Sequence, residues 1–220
     1  MGSAWCIDII TITTSDDSVT VFLRNDMEKK PYICSQSNKR TVEMKIQEDS
    51  MFRPMRRKRQ QLTADESIGI LEKATSGTLA LLGDGGYPYA VPISYVYDDG
   101  KLYFHSALSG HKVDAIRACD KASFCVIDQD NVKPAEYTTY FRSVIAFGRI
   151  HIVEDETERL KIARILGNRY NPNQEEALRK ELEHGLSRML VICFDIEHLT
   201  GKEAIELVKA HQMDEHGSKS

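Results

Sequence analysis

One run of residues gathers most of the chemistry that this chain could perform: Tyr103-Phe104-His105-Ser106-Ala107-Leu108-Ser109-Gly110-His111-Lys112. Leu102 and Phe104 alternate with Lys101, Tyr103 and His105, which predicts a strand over 101–105, and a short helix is expected over 110–119. Ser106 and Ser109 offer hydroxyls, the turn offers backbone amides, and Lys112 falls in the first helical turn. Hydroxyls, helix-start amides and an ammonium are the parts of a phosphate site. A cation opposes the preferred charge at a helix start, so a bound anion would offset a local cost. The plainer reading is a helix capped by Ser109, with His111 and Lys112 facing solvent.

A second group, Thr138-Thr139-Tyr140-Phe141-Arg142-Ser143, enters a long strand expected over 140–153. Alternation puts Tyr140 and Arg142 on one face, and Phe141 and Ser143 on the other. Arg142 could pair with a phosphate or a carboxylate, or link a dimer surface.

Several chemistries lack their motifs. His105 and His111 are six apart, His151 is distant, and there is no H-E-x-x-H or H-x-H, so no metal site is expected. No G-x-S-x-G elbow supports a serine hydrolase, and no G-x-G-x-x-G or P-loop pattern follows a strand. Cys125, inside an apolar strand, reads as core rather than nucleophile. The five cysteines are scattered and odd in number, without a C-x-x-C pair, which suits reducing cytosol better than a disulfide framework.

These residues sit in a chain of 220 residues with 41% hydrophobic and 28% charged positions, as in a soluble globular protein. Lys and Arg number 29 against 33 Asp and Glu, a net charge of -4 that argues against general nucleic-acid binding. No apolar run is long enough to span a bilayer, so a cytoplasmic protein is expected. Residues 1–50 read as a poorly defined extension with two short strands, Ile7–Ile12 and Ser18–Leu23, followed by mixed charge without periodicity. The domain is expected over 51–210, with a flexible tail over 211–220. Near its start, Arg53, Arg56, Arg57, Lys58 and Arg59 form a short basic run with no amphipathic helix behind it.

Within the domain, Thr63-Ala64-Asp65-Glu66 predicts a capping box opening a helix that Ser76-Gly77 stops. Strands are expected at Thr78–Leu82, Tyr89–Tyr97, Lys101–His105, Ala122–Ile127, Tyr140–Val153 and Arg188–Ile196, with Pro92 marking an edge or a bulge. Asp98-Asp99-Gly100 is a hairpin turn, and Gly148 marks a bend or bulge. Helices are expected over 154–170, 173–184 and 202–209. Antiparallel strands with inserted helices favour a barrel or sandwich.

From about Met55 to Glu203 the chain resembles the flavin-binding split-barrel proteins related to pyridoxamine-phosphate oxidase, in particular the nitroimidazole-resistance branch. The passages that carry the resemblance are "MRRKRQ", "YPYAVPISYVYDDGKLYFHSALSGHK", "TTYFRSVIAFGRIHIVED" and "DIEHLTGKE", in that order. It implies a mainly β protein with peripheral helices: a six-stranded antiparallel split β-barrel, homodimeric, with FMN at the subunit interface.

On that analogy Pro92, Ile93, Ser94 and Tyr95 line the flavin. His105 and Ser106 lie near the ribityl phosphate, His111 and Lys112 hold the phosphate end, and Arg142 and Ser143 complete the pocket. His105 is the expected catalytic residue, by hydrogen bonding or proton delivery to a small aromatic substrate such as a 5-nitroimidazole. NAD(P)H or another reductant would supply electrons. Members of the branch often carry Trp after "GKE"; here Ala204-Ile205-Glu206 follows, which bears on the substrate rather than the fold. Two other functions remain open: a haem-handling split barrel that uses His105, His111 or His151 as axial ligand, and a flavin-binding protein with little turnover.

Overall fold

The computed structural model describes residues 11–15, 18–22 and 51–217. Contacts divide the chain into two units between Ser50 and Met51. In the first unit β1 (Thr11–Ser15) and β2 (Ser18–Phe22) form an antiparallel hairpin with Thr11 opposite Phe22. The expected strand at Ile7–Ile12 therefore appears only from Thr11, and its first four residues lie outside the described residues.

The second unit opens with the expected capping box. Thr63 Oγ1 accepts from the Glu66 amide at 3.2 Å, and Glu66 Oε2 accepts from the Thr63 amide at 2.7 Å. This starts α1 (Ala64–Lys73), which buries Ile70 and Leu71. Next come β3 (Ser76–Leu82), β4 (Pro88–Ser94), β5 (Val96–Asp98) and β6 (Lys101–Ala107). Asp99 and Gly100 adopt φ of 43° and 79°, the left-handed turn that joins β5 to β6. Then follow α2 (His111–Ala118), β7 (Lys121–Lys133), β8 (Thr138–Ile152), α3 (Glu156–Tyr170), α4 (Glu175–Gly185), β9 (Met189–Glu203) and α5 (Ile205–Gly217).

The sheet is antiparallel throughout, in the order β4-β3-β7-β8-β9-β6-β5. It has seven strands where six were expected, because the single strand expected over Tyr89–Tyr97 breaks at Tyr95. Tyr95 is fully buried; its amide donates to the Thr75 carbonyl and its hydroxyl to Leu71 O at 2.7 Å. The break has a topological result: β4 and β5, the two ends of the sheet, are consecutive in the chain and one residue apart. Their covalent link draws the sheet into a barrel.

Side chains alternate along the strands between two destinations. Leu79, Leu81, Leu102, Phe104, Phe124, Val126, Val144, Ile192 and Phe194 fill the inside, together with α1 and Ala115 and Ile116 of α2. A second cluster lies outside the barrel, where α3 and α4 cover Tyr103, Val191 and Cys193 with Ile162, Leu166 and Leu182.

The sequence underestimated β9, expected to end at Ile196 with a helix from Lys202. The ladder instead continues to Glu203, because Gly201 lets the strand pass beneath α1: a Cβ there would stand 2.3 Å from Ser67 Oγ. The last helix starts at Ile205 and runs to Gly217, through most of the stretch expected as a tail. Gly148 does sit at a bulge: the register shifts between Phe147 and Gly148, and the extra residue is Glu197 of β9. A Cβ on Gly148 would be 1.9 Å from the Asp195 carbonyl oxygen.

Candidate functional site

The register divides the expected site residues between faces. Pro92 pairs with Thr78, Thr78 with Cys125, Cys125 with Ile145 and Ile145 with Thr200. This row crosses the outer face of β4, β3, β7, β8 and β9. A parallel row runs Ala90, Ala80, Ser123, Phe147 and His198. Ser94 and Ser143 belong to the same face, one row further along, with Ser143 opposite Ile127 and Lys202. The face is largely apolar or small: Phe52 stacks on its His198 with ring centroids 4.6 Å apart, while Ile127 is 67% exposed, Ile145 39% and Phe147 37%. Pro92, Ser94 and Ser143 are thus brought onto one surface.

Ile93 and Tyr95 point the other way. Ile93 packs against the barrel core, and the Tyr95 side chain is enclosed by it, edge-on to Phe124. The Tyr95 carbonyl accepts from the Tyr170 hydroxyl at 2.7 Å. Their side chains back the surface instead of lining it. Burial pushes the Tyr95 phenol well above its ordinary range, so it stays neutral.

His105 and Ser106 also diverge. His105 is exposed, on the β6 face that also carries Tyr103, while Ser106 is buried on the face of Leu102 and Phe104. His105 has no hydrogen bond or ion pair among the described residues.

Around the α2 start the groups do converge. Gly110, at φ 129°, is the residue before the helix, and no side chain caps it. Capping by Ser109 is therefore absent; the Val113 amide donates to Gly110 O at 2.8 Å, and the His111 and Lys112 amides have no partner among the described residues. His111 stacks on Tyr89 with ring centroids 4.1 Å apart, and its Nε2 lies 3.7 Å from Asp84 Oδ2. Lys112 is half-buried and has no ion pair or hydrogen bond among the described residues. Burial alone lowers its pKa. Such a cation lacks a counter-charge that a phosphate would supply.

Arg142 is in the opposite condition. Its Nη2 donates to Glu203 Oε2 at 3.0 Å and its Nε to the same oxygen at 3.2 Å, while Asp128 lies 3.7 Å from Nη1. Of the alternatives the sequence left open for Arg142, carboxylate pairing is the one found. Tyr140, on its strand face, donates to Glu136 at 2.8 Å. Sequence reasoning missed Asp128 and Glu203 as partners because both are set by register: Asp128 by the bulge between Ile127 and Gln129, and Glu203 by its place opposite Arg142.

A concavity of about 500 Å³ between α3 and α4, lined by Arg159, Leu160, Arg179 and Leu182 among others, contains none of these residues. Cys119, Cys125 and Cys193 are free thiols, and no helix among the described residues is long and apolar enough to cross a membrane.

An antiparallel sheet whose two ends are joined through one bent strand, with helices packed around it, defines a split-barrel protein. The family model described as pyridoxamine 5'-phosphate oxidase matches residues 63–203, and the chain belongs to that family. No curated protein matches the chain.

Solved structures share the fold. A candidate 5-nitroimidazole antibiotic resistance protein from Bacteroides thetaiotaomicron is 19% identical, with a TM-score of 0.54 over 65% of this chain and 86% of that one. A conserved hypothetical protein from Mycobacterium tuberculosis is 17% identical, with a TM-score of 0.60 over 68% and 90%. The FAD and heme binding protein from Mycobacterium smegmatis is 24% identical, with a TM-score of 0.58 over 66% and 73%.

Proposed function

We propose that the chain is an FMN-dependent oxidoreductase that works as a cytoplasmic homodimer and reduces a small nitroaromatic compound such as a 5-nitroimidazole. The observation that carries this reading is Lys112: a half-buried ammonium with no counter-charge among the described residues, at the second position of a helix that no side chain among them caps. The cradle suits the FMN phosphate in charge and in donor type. FMN, when bound, supplies a ring system that takes up a hydride or electrons and passes them on.

The chain's own residues have separate tasks. Lys112 and the α2 amides hold the phosphate, and His111 flanks them, fixed by its stack on Tyr89. Pro92, Ser94 and Ser143 offer a flat surface of small side chains on which an aromatic ring can lie, with Ile93 and Tyr95 stiffening it from behind. Ser106, buried on the opposite face of β6, backs the strand that carries His105. Arg142 sets the β8–β9 edge of the pocket through Glu203. His105 is the group that donates a hydrogen bond or a proton to the substrate.

A second copy would cover the apolar rows around Ile145 and Phe147 and close the cofactor between subunits. NAD(P)H or a similar donor would reduce the cofactor. The name of the Bacteroides neighbour is in keeping with the nitroaromatic substrate. That of the mycobacterial FAD and heme binding protein is in keeping with the haem alternative, for which exposed His105 offers an imidazole. Lys112, without a counter-charge among the described residues and at a helix start, favours the phosphate-bearing cofactor.

An absorption spectrum of freshly purified protein, with the released chromophore identified by mass, tests the proposal. A flavin spectrum and the mass of FMN are expected. A Soret band, or no uptake of added FMN, overturns it.

A further inference from the structure

The geometry points to a binding site for one zinc-class divalent transition-metal ion at His151, Cys193 and Asp195, on the outer face of β8 and β9. Among the described residues it is the one group of three or more His, Cys, Asp and Glu side chains whose ligand atoms converge, all within 4.8 Å of one another. The proposal is independent of the flavin reading, which uses none of the three residues.

The register explains the convergence. His151 lies directly opposite Cys193 in the β8–β9 ladder, so their side chains stand side by side. Asp195 is two residues along from Cys193 and shares its face. His151 Nδ1 is already 3.5 Å from Asp195 Oδ2. Ligand atoms on one tetrahedral zinc, with bonds of about 2.0–2.3 Å, stand about 3.3–3.8 Å apart. Small adjustments of His151 and Asp195, whose side chains are 51% and 38% exposed, complete the set against the buried Cys193 sulfur.

The surroundings suit a cation. Lys101 holds Asp195 through Oδ1 at 2.5 Å, which leaves Oδ2 for the metal and orients it as an outer-shell partner does. Near Cys193 the Lys101 cation and Glu158 of α3 act with opposite sign, and Arg149 is already engaged by Asp120 and Glu197. Sulfur with imidazole and one carboxylate oxygen selects zinc over magnesium or calcium, which require oxygen ligands. The thiol proton passes to solvent as the metal–sulfur bond forms. Three protein ligands leave a fourth position for water.

The test uses the full chain, treated with chelator, incubated with zinc, passed through gel filtration and analysed for metal by mass spectrometry. One equivalent of zinc retained per chain is expected. Losing an outer-shell partner costs about 10–100-fold in metal affinity, so losing a ligand should cost at least about 100-fold. Cys193→Ser and His151→Gln should both therefore lose the equivalent. His151 is half-exposed, so His151→Gln should fold even if the buried Cys193→Ser does not. No zinc retained by the parent protein, or the same equivalent retained by His151→Gln, overturns the site.

Discussion

Arg142 places two nitrogens, at 3.0 and 3.2 Å, on a single oxygen of Glu203 across the β8–β9 ladder, and Glu203 is 5% exposed. A buried carboxylate needs that partner. The Glu203 backbone carbonyl is occupied as well, accepting from Gln60 Nε2 at 2.9 Å. Arg142→Met should therefore cost about 2 kcal/mol of stability by stranding Glu203. It should change flavin affinity little, since the guanidinium is already engaged. Urea unfolding and a flavin titration separate the two effects; a large loss of affinity at unchanged stability would return Arg142 to the cofactor.

Lys112→Met should weaken FMN binding by about 10–100-fold, the worth of a charge-assisted hydrogen bond to phosphate. Fluorescence titration of the flavin measures this. Riboflavin, which has no phosphate, should bind both proteins alike.

The same residue predicts a pH dependence in the flavin-free protein. Burial lowers the folded pKa of Lys112 below the ordinary 10.5, so the unfolded chain holds this proton more tightly. Lys112 thus destabilises the fold fully at pH values below its folded pKa. That cost shrinks as pH rises from the folded value towards 10.5. Thermal melts of wild type and Lys112→Met should show the variant more stable near neutrality and the gap narrowing in alkali; a constant gap contradicts the assignment.

His105→Gln should retain flavin and lower nitro reduction by about 100-fold if the imidazole delivers a proton. The readout is turnover per bound flavin across pH. Turnover equal to wild type would make His105 a surface residue of the strand.

Tyr95→Phe should cost about 1–2 kcal/mol by removing the hydroxyl from Leu71 O, with flavin affinity unchanged. A change confined to flavin affinity would place the Tyr95 side chain on the ring after all.

Local chemistry was readable wherever neighbours in sequence decide it. The Thr63–Glu66 box and the Asp99-Gly100 turn depend on adjacent residues, and each is found where the residues require it. The candidate site was legible in part. Lys112 at a helix start can be read from spacing, but the resemblance put Pro92, Ile93, Ser94 and Tyr95 on the flavin together, and the register turns Ile93 and Tyr95 inward. The fate of Arg142 could not be read, because its partners Asp128 and Glu203 are 14 and 61 residues away in sequence and meet it only through a bulge and a ladder. The break at Tyr95 was hidden for a similar reason: Tyr89–Tyr97 reads as one strand, and only the carbonyl of Leu71 in α1 explains why its seventh residue turns inward.

The position of β4 at the end of the sheet has a consequence for how copies of the chain can meet. Pro88 and Pro92 share the phase of Ala90 and Ser94, and proline has no amide hydrogen to donate to β3. In an antiparallel pair that phase points its amides away from the neighbour, so two of the four donors along the open margin of β4 are missing. An extended segment from another molecule would find a broken template there, which protects against strand addition and the runaway polymers that follow from it. The flat flank of the barrel, by contrast, offers side chains rather than backbone to a neighbour.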